Sequence, residues 1–174
     1  MSEQPQELLT TRKFRVVRYV ETGRDGKPHA KEIVEHPGAV AILPILDGDR
    51  VCLIRNQRRA AGKVLVELPA GTLEPGEDPA DCARRELAEE TGYRADHVEK
   101  LIDFYMSPGI LTERMHVYVA TGLNAGSTTL EPGEQIEPLI VSWADAMAMA
   151  RDGTIEDAKS LVGLLYYDRT RTDA

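Results

Sequence analysis

The stretch that decides the fold is GTLEPGEDPADCARRELAEETGY, residues 71–93. It places a glycine-containing turn before a helix on which Glu86, Glu89 and Glu90 stand at positions i, i+3 and i+4, so that three carboxylates share one face of a helical turn. Like charges at this spacing repel each other, and a bound divalent cation that prefers oxygen ligands, such as Mg2+, would remove the repulsion. The stretch therefore predicts a metal site suited to phosphate chemistry.

The ends of this helix are also marked in the sequence. Asp78 can cap the free amide groups, and Pro79 suits the first turn, so the helix is predicted to begin there. It is predicted to run to about Thr91, and Gly92 then ends it as a C-terminal glycine cap. Gly71 lets the backbone approach the helix without a side chain in between.

The same stretch resembles the signature of the Nudix hydrolases. That signature is Gly, five residues, Glu, seven residues, then Arg-Glu-U-x-Glu-Glu-x-Gly-U, where U is a bulky aliphatic residue. The residues in register are Gly71, Glu77, Arg85, Glu86, Leu87, Glu89, Glu90 and Gly92. Tyr93 departs from the last aliphatic position, which is a packing site. A charged, solvated helix after a turn would explain the glutamates, but it would need the glycines and the arginine to fall in register by accident.

Composition limits the class of protein. A chain of 174 residues with 42% hydrophobic and 29% charged residues is expected to form a soluble fold with a sizeable core. No apolar run approaches the ~20 residues needed to cross a bilayer, and the N-terminus lacks a signal-peptide pattern, so we expect a cytoplasmic protein without a membrane partner. The net charge of -8 argues against nucleic-acid binding. Cys52 and Cys82 have no metal-ligand spacing and are expected to be free thiols.

Hydrophobic patterns and turn residues predict the remaining elements. Strands are predicted over 13–21, 29–36, 39–46, 50–55, 64–68, 98–105, 114–121 and 139–143, and further helices over 144–151 and 157–167. Residues 1–12 are expected to be poorly ordered or loosely docked. We therefore divide the chain into an N-terminal arm and antiparallel hairpin (1–37) and a catalytic domain (38–174). The resemblance implies an α/β fold for the latter, a Nudix-type α/β/α sandwich with a mixed sheet.

The resemblance implies a set of metal ligands. Glu86 and Glu90 are the expected ligands of Mg2+, for which Mn2+ is a possible substitute. Glu89 is expected to complete the cluster as a bridging ligand or by orienting a water, and the backbone carbonyl of Ala70 is a further implied ligand. Divalent ions neutralise phosphate charge and lower the pKa of a bound water, which is the chemistry of diphosphate hydrolysis.

The other signature residues are expected to be structural. Glu77 and Arg85 are predicted to form an internal salt bridge that braces the loop on the helix and orients the ligands rather than reacting. Gly71 and Gly92 are predicted to serve the turn and the helix end.

Two flanking features resemble the ADP-ribose pyrophosphatase branch of the family. The segment Leu68-Pro69-Ala70-Gly71 leads into the signature, and Pro108 follows Gly92 by sixteen residues. An ordinary turn would explain the Ser-Pro-Gly segment around Pro108 if it stood alone. The resemblance implies Mg2+-dependent hydrolysis of a nucleotide sugar, ADP-ribose, to AMP and ribose 5-phosphate.

Substrate contacts are implied by the same branch. Arg58 and Arg55 would hold the diphosphate, because a guanidinium donates two parallel hydrogen bonds to phosphate oxygens. Glu32 would contact the adenine or ribose, Glu113 the terminal ribose, and Pro108 lies in the adjoining turn. Each of the charged residues also fits a solvated surface role, and the spacing of the two arginines leaves the register of the first contact open.

The reaction also needs a carboxylate that activates or positions water. The acidic segment 131–137 is the candidate source in this branch. Glu137 fits slightly better when Trp143 fixes the register, and Glu134 is the alternative. A solvated loop without catalytic function is the third possibility.

Two rival functions remain open. The enzyme could act on another nucleotide sugar such as GDP-mannose, or the chain could be a non-catalytic nucleotide-binding module, although such modules usually lose signature glutamates and this chain keeps them. The resemblance further implies a homodimer in which the N-terminal strands complete the partner's substrate site.

Overall fold

The structure is a computed structural model that describes residues 4–47, 49–130 and 132–171. Gly48 of the predicted turn and Glu131 of the predicted acidic segment lie outside the described residues. The strands are β1 (Gln6–Thr10), β2 (Arg15–Thr22), β3 (Pro28–Glu35), β4 (Ala39–Leu46), β5 (Arg50–Arg58), β6 (Lys63–Glu67), β7 (Ala70–Thr72), β8 (Tyr93–Tyr105), β9 (Arg114–Ala125) and β10 (Ile136–Ser142). The helices are α1 (Pro79–Thr91), α2 (Trp143–Asp152) and α3 (Ala158–Arg171). Within these ranges, no helix has the length and apolar character that crossing a bilayer requires.

The N-terminal segment forms a three-stranded antiparallel sheet in the order β1-β2-β3. The predicted hairpin is confirmed as β2 and β3, which pair from Arg15 opposite Glu35 to Thr22 opposite Pro28. The expectation of a loosely ordered arm is wrong over Gln6–Thr10, which pairs with β2. Every residue of β1 is exposed, so its side chains carry no alternation, and backbone pairing with β2 alone defines the strand.

The larger sheet has seven strands, in the order β10-β5-β4-β9-β8 with β6 paired to β5 and β7 paired to β4. β4 and β9 run parallel, whereas the other pairs are antiparallel. β4 and β5 pair only beside their connecting turn, at Ile45–Leu46. Beyond that point the two strands diverge. β6 pairs with β5, and β7 pairs with β4, so the short segment that joins β6 to β7 crosses between the two diverging strands.

Helices cover both faces of this sheet. Val40 and Ile42 of β4 pack with Leu87 of α1, whereas the alternate residues Ala41 and Leu43 belong to the cluster that includes α2 and α3. Both sets are fully buried, since successive side chains of a strand point to opposite faces. The predicted α/β/α sandwich with a mixed sheet is confirmed.

The signature helix has the predicted ends. The Asp78 side chain accepts a hydrogen bond from the Ala80 amide at 2.8 Å, and Pro79 is the first helical residue. Gly92 ends the helix with a φ of 76°, and its amide donates to the Ala88 carbonyl. Together these caps fix which face of α1 meets the sheet and which face carries the glutamates.

Candidate active site

A cleft of about 790 Å³ lies along the glutamate-bearing side of α1. Its walls come from segments 56–60, 70–75 and 133–135, and Arg12, Lys13 and Pro37 of the N-terminal segment also line it. The lining therefore combines carboxylates from α1 with cationic side chains from β5, its following turn and the N-terminal segment.

Gly71 allows β7 to approach the helix closely. A Cβ atom at this position would lie 1.9 Å from the Cδ and Oε1 atoms of Glu86. The need for glycine here comes from this contact with the Glu86 carboxyl group. Any side chain at residue 71 would displace Glu86 from the cleft wall.

Arg85 is the local counter-cation of the signature. Its Nε and Nη2 atoms donate to the two carboxylate oxygens of Glu77 at 2.9 and 3.0 Å. Its Nη1 atom donates to Glu86 at 2.7 Å and to Glu89 at 3.1 Å. Glu77 also accepts a hydrogen bond from the Glu74 amide, so the salt bridge ties the 74–77 turn to the helix. The hydrogen bonds from Arg85 lower the pKa of Glu77 to about 2.

Glu90 is the most deeply buried of the cluster glutamates, with 3% of its surface exposed. Its Oε2 atom accepts a hydrogen bond from the Ala70 amide at 2.8 Å. Burial, aided by the negative charges of Glu86 and Glu134, nevertheless raises the pKa of Glu90 to about 8. Burial likewise raises the pKa of Glu86. Both carboxyl groups are therefore harder to ionise than exposed ones, and a nearby positive charge would favour their ionised form.

This arrangement fits a hard divalent cation in its chemistry. The candidate donors are carboxylate oxygens of Glu86, Glu89 and Glu90 and the carbonyl of Ala70, and Mg2+ takes oxygen ligands. Among the residues with described positions, no three acidic, histidine or cysteine side chains converge as a metal group. Glu86 and Glu89 each direct one oxygen atom to the guanidinium of Arg85.

A second part of the cleft wall centres on Arg58, the last residue of β5. Its Nε and Nη2 atoms donate to the two oxygens of Glu67 at 2.8 and 2.6 Å. About 40% of the Arg58 side chain remains exposed, and it lines the cleft. Arg55 is exposed and is not among the lining residues, so of the two predicted arginines the structure brings only Arg58 to the cleft.

The two candidates for water activation are separated by the structure. Glu134 lines the cleft, and its charge contributes to the raised pKa values of Glu86 and Glu90, in which burial is the largest cause. Glu137 is exposed, stands opposite Arg55 in the β10–β5 pairing and does not line the cleft. The alignment on Trp143 favoured Glu137, but in this chain Glu134 lines the cleft and Glu137 does not.

The other predicted substrate residues lie elsewhere in the single chain. The Glu32 carboxylate accepts a hydrogen bond from Arg18 at 2.8 Å on the N-terminal sheet. A carboxylate oxygen of Glu113 lies 3.8 Å from Nδ1 of His36. Pro108 is exposed. None of the three lines the cleft, and their substrate contacts stay predictions.

Sequence reasoning missed several residues of the cleft and its support. Arg12, at the end of the segment that was expected to be loosely ordered, and Lys13, at the start of the first predicted strand, both line the cleft. Glu67, which holds Arg58, is 1% exposed and follows the apolar run 64–66 of β6. A lone carboxylate in such a strand is itself a signal, because a buried charge requires a partner.

The NUDIX domain model matches residues 35–162 of this chain. An ADP-ribose pyrophosphatase of Bacillus subtilis (strain 168) is 38% identical over 144 residues, covering 82% of this chain and 78% of that protein. A GDP-mannose pyrophosphatase of Klebsiella pneumoniae is 35% identical, covering 88% of this chain and 83% of that protein. The crystal structure of an ADP compounds hydrolase superposes with a TM-score of 0.83 at 23% identity, covering 99% of this chain and 97% of that one, and it supports the fold.

An α/β/α sandwich with a helical glutamate cluster and an arginine in one cleft is suited to the hydrolysis of phosphoanhydride bonds. Because the domain model spans most of the chain and a relative is 38% identical across 82% of it, the chain belongs to the Nudix family. It is a pyrophosphohydrolase of that family.

The Glu77–Arg85 salt bridge predicts a pH dependence of stability. The pKa of Glu77 falls from an ordinary 4.5 to about 2 in the folded protein. A carboxylate with a lowered folded-state pKa contributes stability that is fully present above the unfolded pKa and is lost as pH falls through the folded pKa. We expect Glu77→Gln to lower the free energy of unfolding at neutral pH, and the difference from wild type to shrink as pH falls from 4.5 to about 2.

Urea unfolding over a pH series measures this difference. Glu99→Gln, which makes the same change at an exposed residue of β8, is the matched control and should follow the wild-type curve. A Glu77→Gln difference that persists undiminished at the acid end would contradict the prediction.

Proposed function

We propose that this protein hydrolyses the diphosphate of ADP-ribose to AMP and ribose 5-phosphate in a Mg2+-dependent reaction. The observation that carries the proposal is the meeting of the α1 glutamates and the Arg58 wall in one cleft. The ADP-ribose pyrophosphatase that matches 82% of the chain supports this substrate. The segment Leu68-Pro69-Ala70-Gly71, which leads β7 to the cleft, supports it from the sequence.

Mg2+ would be held by Glu86, Glu89, Glu90 and the carbonyl of Ala70, with Mn2+ as a possible substitute. When bound, such an ion neutralises diphosphate charge and lowers the pKa of a coordinated water. Arg85 orients two of these ligands, because its hydrogen bonds fix the rotamers of Glu86 and Glu89.

The remaining steps belong to side chains of the cleft. Arg58 donates hydrogen bonds to diphosphate oxygens and offsets their charge where the substrate docks. The Glu134 carboxylate takes the proton from the oxygen of the attacking water, as a general base. The new P–O bond forms from that oxygen, and the bridging P–O bond breaks with its electron pair left on the departing phosphate. Arg59 and Lys13, which also line the cleft, add positive charge around the substrate.

A second candidate substrate is GDP-mannose. The Klebsiella pneumoniae relative named GDP-mannose pyrophosphatase covers 88% of this chain at 35% identity. The same glutamates and Arg58 would serve both substrates, because the diphosphate is common to them and only the base and sugar differ. A non-catalytic nucleotide-binding function is disfavoured, since Glu86, Glu89 and Glu90 are all present and all line the cleft.

A substrate panel with Mg2+ tests the reaction. We expect ADP-ribose to be turned over with a higher kcat/KM than GDP-mannose, ADP-glucose, NADH or diadenosine polyphosphates. Glu90→Gln should lower kcat/KM by on the order of 100-fold, because it removes a charge that holds the cation at the reacting group. Product release is measured by chromatography of the nucleotides.

Glu99→Gln is the control for loss of one negative charge and should leave the rate unchanged. Faster turnover of GDP-mannose would replace the proposed substrate with the second candidate. Binding of ADP-ribose without turnover of any compound would contradict catalysis and favour the binding module.

Paired substitutions distinguish the two candidate bases. We expect Glu134→Gln to lower kcat by roughly 100-fold or more, because general-base catalysis is typically worth that much, and Glu137→Gln to stay near wild type. Steady-state kinetics at saturating substrate give the comparison. A larger loss in Glu137→Gln would show that this residue, and not Glu134, activates the water.

We further propose a homodimer formed through the N-terminal sheet. This sheet exposes several large apolar side chains, Leu8, Leu9, Phe14 and Val20, and exposed apolar patches mark interaction surfaces. β3 also joins the turn that follows β8, because the Val34 amide donates to the Ile110 carbonyl, so Glu32, Glu113 and Pro108 lie on elements next to this surface.

Size-exclusion chromatography with light-scattering detection measures the molar mass in solution and tests the dimer. We expect a mass twice the 19.2 kDa of one chain, and Leu9→Asp should lower that mass and reduce activity, because it places a charge in the apolar surface. A wild-type monomer with full activity would contradict the proposal.

A further inference from the structure

Arg58 belongs to a buried polar network that reaches from the cleft to α3. Glu67 accepts both Arg58 hydrogen bonds and is itself 1% exposed. Lys159 of α3 donates to the same Oε2 atom of Glu67 at 2.8 Å, and it is 6% exposed. The network therefore joins a residue of the cleft to a lysine that is distant in sequence and shielded from solvent.

Lys159 lies between two carboxylates. Its Nζ atom contacts Oε2 of Glu67 at 2.8 Å and Oδ2 of Asp157 at 2.9 Å. Without the ammonium group, these two carboxylates would face each other across a buried space and repel. Burial alone would raise the pKa of Glu67, but its hydrogen bonds with Arg58 and the charge of Lys159 outweigh burial and lower that pKa. Glu67 is thus held as a charged carboxylate in a fixed orientation.

A fixed Glu67 in turn fixes the guanidinium of Arg58. The Nε and Nη2 atoms are both engaged with Glu67, which sets the plane of the group. Among the residues that the structure describes, Nη1 has no hydrogen-bond partner. Since about 40% of the side chain is exposed in the cleft wall, donors remain for an anion in the cleft. Arg58 therefore has one edge committed to Glu67 and another edge available to a ligand.

The same turn of α3 also holds the backbone that leads to the glutamate cluster. Ser160 accepts a hydrogen bond from the Leu68 amide at 2.7 Å and donates to Asp157 at 2.5 Å. Two residues later the Ala70 amide binds Glu90. Lys159 and Ser160, which are neighbours in α3, are thus each linked to one wall of the cleft. Lys159 is linked through Glu67, and Ser160 is linked through Leu68.

We propose that Lys159 is a positioning residue for diphosphate binding: acting through Glu67, it holds Arg58 with its remaining edge directed to the diphosphate. This inference rests on the proposed function for the nature of the ligand. Lys159 does not touch substrate in this role. It determines the orientation of the group that does.

The test follows Arg58 directly by NMR. The 15N–1H signal of its Nε–H group is assigned by its absence in Arg58→Lys. Methylenediphosphonate, whose P–C–P link cannot be hydrolysed, is titrated with Mg2+ present. In wild type we expect a sharp signal that shifts on binding. In Lys159→Met the signal should broaden or move, and the dissociation constant should rise about tenfold, the equivalent of one charge-assisted hydrogen bond.

Lys63→Met is the matched control. It removes the same charge from an exposed lysine that stands opposite Arg58 in the β5–β6 pairing and forms an ion pair with Glu156. It should leave the Arg58 signal and the affinity unchanged. Lys159→Gln, which retains a side-chain donor without the charge, provides the same measurement if Lys159→Met does not fold.

The outcomes separate this inference from the proposed reaction. An unchanged Arg58 signal in the Lys159 variants, with or without weaker binding, would overturn the positioning role. Failure of wild type to bind methylenediphosphonate would overturn it as well. Normal binding and the expected Lys159 effects, together with no hydrolysis of ADP-ribose, would support the positioning role and overturn only the proposed substrate.

Discussion

The concentration of negative charge on one turn of α1 is the constraint on which the rest of the site depends. Three features of the structure accommodate these carboxylates. Arg85 hydrogen-bonds to Glu86 and Glu89, the Ala70 amide binds the buried Glu90, and Gly71 leaves room for the Glu86 carboxyl. Each feature acts on a glutamate that we propose as a ligand of the cation. The surroundings therefore hold the glutamates in fixed positions along the cleft.

The sheet supplies this arrangement through the divergence of β4 and β5. Since the two strands separate after their turn, β7 can pair with β4 and bring Ala70 and Gly71 against the helix, while β6 pairs with β5 and brings Glu67 to Arg58. The residues that support the two walls are thus close in sequence, because Leu68 and Pro69 join Glu67, which binds Arg58, to Ala70, whose amide binds Glu90. Their spacing is set by the sheet, and both walls are anchored to α3.

What the sequence could predict was largely what is local. The ends of α1 and its glutamate face followed from caps and helical spacing, and the strands with clear alternation were found. The strand at Gln6–Thr10 was missed because all its side chains are exposed and long-range backbone pairing alone creates it. The sequence did not decide between Glu134 and Glu137, because the segment before β10 has no periodicity from which a side-chain direction follows; the fold brings only Glu134 to the cleft, and which residue activates water stays a prediction. The Lys159–Glu67 contact joins residues 92 apart, and no local pattern encodes it.

The parallel pairing of β4 with β9 has a consequence for how the chain is made. Parallel strands need a long crossover, and here the whole of α1 and β8 lies between the two partners. During synthesis the signature helix leaves the ribosome before β9, so its apolar face has only part of its sheet to pack against. Contacts of such separation slow folding and leave apolar surface exposed meanwhile. The nascent chain therefore passes through a stage in which α1 lies beside an incomplete sheet and part of its apolar face is exposed.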